Sequence, residues 1–482
     1  MDELALQLHD GTVIVVPRML DAITTYVLLE QEAWFEKEAR FVPQLLSPGA
    51  TVLDIGANLG VYSLPMARRV GPTGRVFAYE PAGETRAWLE KSVARNGLTN
   101  LEIVAAALSN KSGDAHLGHG HSSELHSLGA GGAGESVRVA TLDEEQTLRQ
   151  WNTVDFIKID AEGEETRILE GGRDFFARHS PIVMFEVRSG PEADGSIASA
   201  FRAIGYDVFR VLNDAPLLVP VDSDESLDRY ELNLFAVKPE RAAALARDGL
   251  LLREAPPPWT PDELARSSAL TFVSEQKFAA AFPQCFANPD VDPLYRSALA
   301  GYAIWRGAKL PAAERYGALL FAVAKMNDVC QMGVTPARLS TMARVAYEAG
   351  RVSLASKALE GLRQLAQRGQ AKPAEPFWPA LPRFDGLAPG NEPELWFAVQ
   401  ALEQHERLSG YSSLFTSATP ERDWLTRQKF ASIEMERRRI LCLLRTGQRL
   451  PVPERLLHRA PDHLNAEVWR KGLVPNSLAV RI

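Results

Sequence analysis

Between Thr51 and Val237 short β-branched runs alternate with helical stretches, a pattern that points to a mostly parallel sheet covered on both faces. The runs predicted as strands are Val52–Ile55, Val76–Tyr79, Glu102–Val104, Phe156–Ile159, Ile182–Val187, Tyr206–Val211 and Leu232–Val237. The clearest helix is predicted over Glu164–Arg178, where Ile168, Leu169, Gly172, Phe175 and Phe176 form one stripe at helical spacing. Glu164 and Glu165 would stand at the positive end of its dipole. The expected fold class is α/β.

The flanks read differently. Residues 1–50 form an N-terminal cap segment, with a hairpin around Asp10-Gly11 and an amphipathic helix near Glu30–Leu46 that covers the sheet or the site. The α/β domain spans 51–240. Residues 241–260 are a linker containing Pro256-Pro257-Pro258, and Thr260-Pro261-Asp262-Glu263 marks a fresh helix start. From 261 to 482 the chain reads as an α-helical domain. Leu339, Met342, Ala343, Ala346 and Tyr347 make one apolar face, Gly350 ends it, and Ala355, Ala358, Leu359, Leu362 and Leu365 make the next. That pairing fits a solenoid-like repeat or a plain helical bundle.

Lys and Arg number 53 against 61 Asp and Glu, a net charge of −8, which argues against a protein built to hold a polyanion, so no nucleic acid partner is expected. The three cysteines, Cys285, Cys330 and Cys442, are too few and too scattered for a disulfide framework. No apolar run approaches the ~18 residues of a membrane span, and Met1–Asp10 is acidic where a secretory signal would be basic. A cytoplasmic location is expected.

The strongest local signal is Val52–Leu64. A buried strand carries Asp54, a turn follows through Gly56, Ala57, Asn58 and Gly60, and a helix begins. Such a turn lets backbone approach a ligand, with free amides at the helix N-terminus. A dinucleotide site would show G-x-G-x-x-G, whereas here Gly56 and Gly60 stand alone. The Asp54 carboxylate would repel a pyrophosphate but attract the α-ammonium of S-adenosyl-L-methionine. At the end of the next strand Glu80, in Tyr79-Glu80-Pro81, is placed to accept ribose hydroxyls. A third cluster, Phe156–Glu165, delivers Asp160 to the carboxyl end of its strand, with Lys158 on the same face and Glu162 in the loop. Glu186 would join them if its strand is adjacent. These carboxylates suit a general base or a divalent cation, or else a salt-bridged network with Lys158 and Arg188. The glycine-rich segment with His116, His119, His121, Glu124 and His126 reads as a lid over the site rather than as a metal centre. No metal is therefore expected.

Taken with Thr141-Leu142-Asp143 and Ile168-Leu169-Glu170-Gly171, these motifs resemble the FkbM-type S-adenosylmethionine-dependent methyltransferases over roughly residues 10 to 240. The resemblance implies a class I methyltransferase, Rossmann-like seven-stranded sheet and O-methylation of a hydroxyl on a sugar, glycan or secondary metabolite. It implies that Asp54, Gly56, Ala57, Asn58 and Gly60 serve the methionine end of the cofactor, that Glu80 and Pro81 serve the ribose, and that Asp160 lies near the methyl group. Glu162 or Asp160 would take the acceptor's proton. The Asn/Asp-Pro-Pro-aromatic text of amino-group methylation is absent after the Phe156–Ile159 strand, which favours oxygen as acceptor. Where relatives carry glycine, tyrosine and glutamate before the first core helix, this chain has Glu32-Ala-Trp-Phe-Glu36. The helical region lies outside the resemblance and would select the acceptor, mediate self-association or dock a protein partner. Two other readings are an inactive scaffold, disfavoured by the retained Asp54, Glu80, Asp160 and Glu162, and a nicotinamide-dependent oxidoreductase, disfavoured by Asp54 and the missing middle glycine.

Overall fold

The computed structural model describes residues 3–118, 127–129, 134–187, 196–223, 225–287, 290–307 and 309–478. The chain divides into two compact units: Met1–Val211 with Pro220–Leu251 and Glu436–Ile482, and Leu212–Val219 with Leu252–Met435.

The first unit begins with an antiparallel hairpin, β1 (Glu3–Gln7) and β2 (Val13–Pro17), followed by α1 (Ile23–Gln31) and α2 (Lys37–Leu45). Then come β3 (Thr51–Ile55), α3 (Ser63–Val70), β4 (Arg75–Tyr79), α4 (Gly83–Asn96) and β5 (Leu101–Val104). A small sheet follows, of β6 (Ala107–Leu108), β7 (Gly113–Gly118), β8 (Ser127–Gly129) and β9 (Glu135–Ala140). Next are α5 (Leu142–Arg149), β10 (Phe156–Ile159), α6 (Glu165–Glu170), α7 (Arg173–His179), β11 (Ile182–Glu186), α8 (Ser196–Ala203) and β12 (Asp207–Val211). A short strand β13 (Leu218–Pro220), then β14 (Asn233–Val237) and α9 (Pro239–Arg247), complete this stretch.

Seven strands of the central sheet lie in the order β12-β14-β11-β10-β3-β4-β5, with β14 antiparallel to both neighbours and β3, β4, β5, β10 and β11 parallel. This is the expected α/β, Rossmann-like arrangement of the class I methyltransferase fold, in a sheet of eight strands rather than seven. The chain runs outward from β3 through β4 to β5, then returns to β10 on the other side. The carboxyl ends of β3 and β10 therefore flank a switch point, where open α/β sheets hold their ligands. Leu53, Ile55, Ile157 and Ile159 pack into the core of this unit with Phe175, Phe176 and Phe201.

Two expected helices are interrupted. The stripe over Glu164–Arg178 is split between α6 and α7 at Gly171-Gly172. A Cβ on Gly171 would stand 2.3 Å from the Ser109 carbonyl oxygen, so the backbone itself is in contact there. The helix expected near Glu30–Leu46 is two helices, because Glu32 ends α1 with φ 55°. Its carboxylate accepts the amides of Leu464 (2.6 Å) and Asn465 (3.0 Å), and His463 Nδ1 lies 3.1 Å away. Burial opposes ionisation of Glu32, but His463, Arg437 and these two amides outweigh it and bring its pKa down to about 2.

The second unit is helical: α10 (Glu263–Ser274), α11 (Pro283–Phe286), α12 (Pro293–Arg306), α13 (Ala312–Met332), α14 (Pro336–Glu348), α15 (Val352–Gln367), α16 (Pro393–Leu408) and α17 (Pro420–Leu425). Asp262 caps α10 by accepting the Ala265 amide at 2.7 Å. The α14–α15 hairpin turns at Gly350, φ 75°. Trp305, Trp378, Trp396 and Phe397 are all core residues, and the Tyr302 hydroxyl and Trp305 indole donate to buried Glu348 at 2.8 and 2.7 Å. No helix among the described residues is long and apolar enough to cross a membrane.

Candidate active site

A cleft of about 950 Å³, including space open to solvent, lies at the carboxyl ends of β3, β4 and β10. Its floor is the turn after β3. Gly56 has φ 77°, Asn58 φ 46° and Gly60 φ 88°. A Cβ at Gly56 would fall 1.8 Å from the Asp160 carbonyl oxygen, so only glycine lets the two loops pass. The amides of Gly56 and Ala57 both donate to the Tyr79 carbonyl at 3.0 Å, tying this turn to the end of β4.

Glu80 completes that tie. One carboxylate oxygen accepts the Asn58 amide and the other the Ala82 amide, each at 2.9 Å. Burial raises its pKa to about 7 against the pull of those amides. Beside Glu80 the wall is apolar, made of Pro81, Ala106, Ala107, Leu108 and Leu117. A fixed carboxylate next to an apolar shelf suits a nucleoside, with the sugar hydroxyls on the acid and the flat base on the shelf.

The same cleft also holds a polar cluster. Lys158 Nζ sits 2.8 Å from Asp160 Oδ2 and 3.8 Å from Asp54 Oδ1. Although burial works against the charge, Asp160 and then Asp54 outweigh it and raise the Lys158 pKa. Glu162, at φ 49°, also lines the cleft. Glu165 fixes this loop by accepting the amides of Ala161 and Gly163 at 3.1 Å. Glu186 lies at the same rim, since β11 is adjacent to β10. Burial and then Asp160, Glu162 and Glu165 raise its pKa, so it keeps its proton where ordinary carboxyls have lost theirs, and it hydrogen-bonds Asp160.

Gly56, Ala57, Asn58, Glu80, Pro81, Asp160 and Glu162 all line the cleft, whereas Asp54 and Gly60 do not. Asp54 is fully buried beneath the turn. Its Oδ2 accepts the Ser63 hydroxyl at 2.5 Å, holding the start of α3, and its Oδ1 faces Lys158. Gly60 faces packing instead: a Cβ there would meet Leu64 at 2.1 Å and Leu89 at 2.5 Å. Arg188, His119, His121, Glu124 and His126 lie outside the described residues. Among the described residues no group of three or more His, Cys, Asp or Glu is placed to hold a metal ion.

Two cleft residues, Trp34 and Glu36, lie outside the motifs, and a third, Tyr62, lies inside Val52–Leu64 without a role assigned to it. Glu36 and Trp34 come from the loop between α1 and α2, and Tyr62 immediately precedes α3. Glu36 Oε2 accepts the Tyr62 hydroxyl at 2.5 Å and the Asn233 side-chain amide at 3.1 Å. Burial, then the Asp160 charge, raises the Glu36 pKa. In the sequence this segment is marked by the helix expected near Glu30–Leu46 and by the departure at Glu32–Glu36, neither of which assigns Glu36 a partner.

Residues 54–208 match the family model of the methyltransferase FkbM domain. The AMB antimetabolite synthetase AmbE of Pseudomonas aeruginosa is 26% identical over 371 residues, 64% of this chain and 17% of the synthetase. That similarity is longer than the stretch from Met1 to Leu251 and so runs into the helical region. The 23S rRNA (uracil(1939)-C(5))-methyltransferase RlmD of Acinetobacter baylyi is 41% identical over 63 residues, 13% of this chain and 14% of that enzyme. The chain therefore spans less than a fifth of the length of these curated relatives. A solved structure of methyltransferase FkbM from Methylobacillus flagellatus is 16% identical, covers 40% of this chain and 44% of its own, and superposes with a TM-score of 0.28. With the sheet order, the glycine turn and the acidic rim in place, residues 54–208 are a methyltransferase FkbM domain.

Proposed function

We propose that this chain transfers a methyl group from S-adenosyl-L-methionine to a hydroxyl oxygen of a sugar, glycan or other small metabolite. The observation that carries this reading is that one cleft is lined both by Glu80 with the apolar Pro81, Ala106, Ala107, Leu108 and Leu117 and by the carboxyls of Asp160 and Glu162. The residues present fit the cofactor. Each Glu80 oxygen, after accepting one amide, has lone-pair capacity left for a ribose hydroxyl. Pro81, Ala106, Ala107, Leu108 and Leu117 would take the base. Gly56, Ala57 and Asn58 would line the methionine end, with Asp54 and Gly60 shaping it from beneath. When bound, S-adenosyl-L-methionine supplies an electrophilic methyl group on a positively charged sulfur.

The chain's own contribution is positioning. Asp160 and Glu162 accept the hydrogen bond of the incoming hydroxyl and aim its oxygen, and Lys158 holds Asp160 in place. The five cleft carboxyls Glu36, Glu80, Asp160, Glu162 and Glu164 make an environment hostile to phosphate, which supports a small uncharged acceptor over RNA. The relation to a protein named for antimetabolite synthesis supports a small-metabolite acceptor in the same way.

Calorimetry with S-adenosylhomocysteine and with NAD tests the cofactor, the expected result being binding of the first alone. A labelled methyl donor offered with a panel of cell-envelope sugars and hydroxylated metabolites tests the acceptor. Glu162→Gln and Asp160→Asn should each lower turnover about 10²–10⁴-fold while leaving S-adenosylhomocysteine affinity in place. A protein silent toward S-adenosylhomocysteine would sink the proposal.

A further inference from the structure

We infer that Glu36, supplied by the loop between α1 and α2 and lying outside the matched family domain, is the catalytic residue that receives the acceptor hydroxyl's proton. The inference rests on the proposed methyl transfer to oxygen and adds the proton's destination.

The geometry is specific. Glu36 lines the same cleft as Asp160 and Glu162. Tyr62 and Asn233 both donate to its Oε2, and the Trp34 side chain also hydrogen-bonds the carboxyl, so the group is aimed rather than loose. The charged and titratable groups facing it are Lys158 on β10, Asp160 just after that strand, Tyr62 before α3, and Glu38 on its own segment. Asp160 is already engaged by two neighbours. Its Oδ2 is engaged by Lys158 at 2.8 Å, and Glu186 hydrogen-bonds the same carboxylate. Among the described residues no cation stands at pairing distance from Glu36, and Lys158 is committed to Asp160 and Asp54.

The charges also balance. As the acceptor oxygen bonds the methyl carbon, the O–H proton passes to Glu36 and its electron pair stays on oxygen. The carbon–sulfur bond of the methyl sulfonium donor breaks and its electrons remain on sulfur. One positive donor and one negative carboxylate thus become a neutral thioether and a neutral carboxylic acid. Burial makes the charged carboxylate costly, so its neutralisation favours the forward step.

The test uses the full chain and Glu36→Gln, which preserves size and hydrogen bonding. Infrared titration of the protein alone should show that the variant lacks one of the carboxylic acids that persist above the ordinary glutamate range in the wild type, with those of Glu80 and Glu186 retained. S-adenosylhomocysteine affinity by calorimetry should agree within about twofold. Turnover of the best panel acceptor, measured at saturating methyl donor so that Glu80-linked binding does not enter, should fall about 10²–10⁴-fold and lose the acidic limb of its pH profile. In Tyr62→Phe the carboxylate loses a donor that favours its charged form. That acidic limb should move to higher pH, a shift that a purely structural role would not produce. Glu36→Gln with wild-type turnover and an intact acidic limb overturns the assignment alone. A wild type that binds S-adenosylhomocysteine yet methylates nothing in the panel overturns the hydroxyl-acceptor reading and this inference with it. Absence of S-adenosylhomocysteine binding overturns the cofactor reading as well.

Discussion

Glu80 shows how a single side chain can tie two loops of the cleft together. Its two oxygens hold the turn after β3 and the turn after β4 in one piece, at the expense of a carboxylate that is 7% exposed and titrates near 7. Ribose hydroxyls donate best to the ionised form, so nucleoside binding should release a proton and weaken as pH falls below about 7. Calorimetry of S-adenosylhomocysteine between pH 5.5 and 8.5 should show affinity falling toward tenfold per unit on the acid side. Glu80→Gln should bind weakly and without that slope. The sign for stability is opposite to that of a salt-bridged acid: the raised pKa makes the native state bind the extra proton, so this group's contribution declines as pH rises from about 4.5 to about 7. At this scale Glu80, Asp160 and Glu162 were legible because each follows a predicted strand end. Asp54 was legible as important, but a strand's alternation cannot distinguish a carboxylate facing a cleft from one turned under it toward Ser63 and Lys158. Glu36 was not legible as a site residue, because its partners Tyr62, Asn233 and Asp160 meet it only through tertiary folding.

At the level of elements, the turn between β3 and α3 exists because the loop after β10 crosses it at backbone contact. Gly56→Ala would combine a φ of 77° with a Cβ placed 1.8 Å from the Asp160 carbonyl oxygen, an obstacle that cannot rotate away as a side chain can. Separation of the two loops is the expected response, with a loss of about 2–5 kcal/mol of stability in urea unfolding and loss of S-adenosylhomocysteine binding. Gly97→Ala is a useful control: its φ is 63°, but no atom lies within 4 Å of the added Cβ, so the cost should be only about 1 kcal/mol and binding should persist. The parallel strands and their order around the switch point were readable from period-two runs alternating with helical stripes. The helix interruptions were not. Periodicity carries through Gly171-Gly172 because both α6 and α7 bury the same core face, while the reason for the break is a neighbouring backbone at Ser109. The break at Glu32 likewise depends on residues more than four hundred positions away.

Across the whole molecule, the first compact unit is built from both ends of the chain. Gln7 and Asn465 exchange hydrogen bonds at 2.7 and 3.0 Å, Arg437 Nε donates to the Glu30 carbonyl at 2.6 Å, and His463–Asn465 surround the Glu32 carboxylate. No local pattern announces this, since the C-terminal segment reads as more helix and its pairing is entirely long-range. The arrangement has a functional consequence because Glu32 begins the loop that delivers Trp34 and Glu36 to the cleft. Glu32→Gln removes the charge that the buried Arg437, His463 and two amides are arranged around. Breaking such a buried cluster by removing one partner costs about 3–5 kcal/mol. With a folded pKa of about 2 against an unfolded value near 4.5, Glu32 stabilises the protein above about pH 4.5 and loses that contribution as pH falls toward 2. Urea unfolding at pH 7 and at pH 3 should therefore separate wild type from variant most at the higher pH. The proposed nucleoside site at Glu80 belongs to other loops, so S-adenosylhomocysteine affinity should change at most a few-fold in Glu32→Gln, while turnover falls because the Glu36 wall is no longer held. Equal losses in affinity and turnover would mean that the C-terminal segment supports the sheet as a whole and not the acceptor side of the cleft.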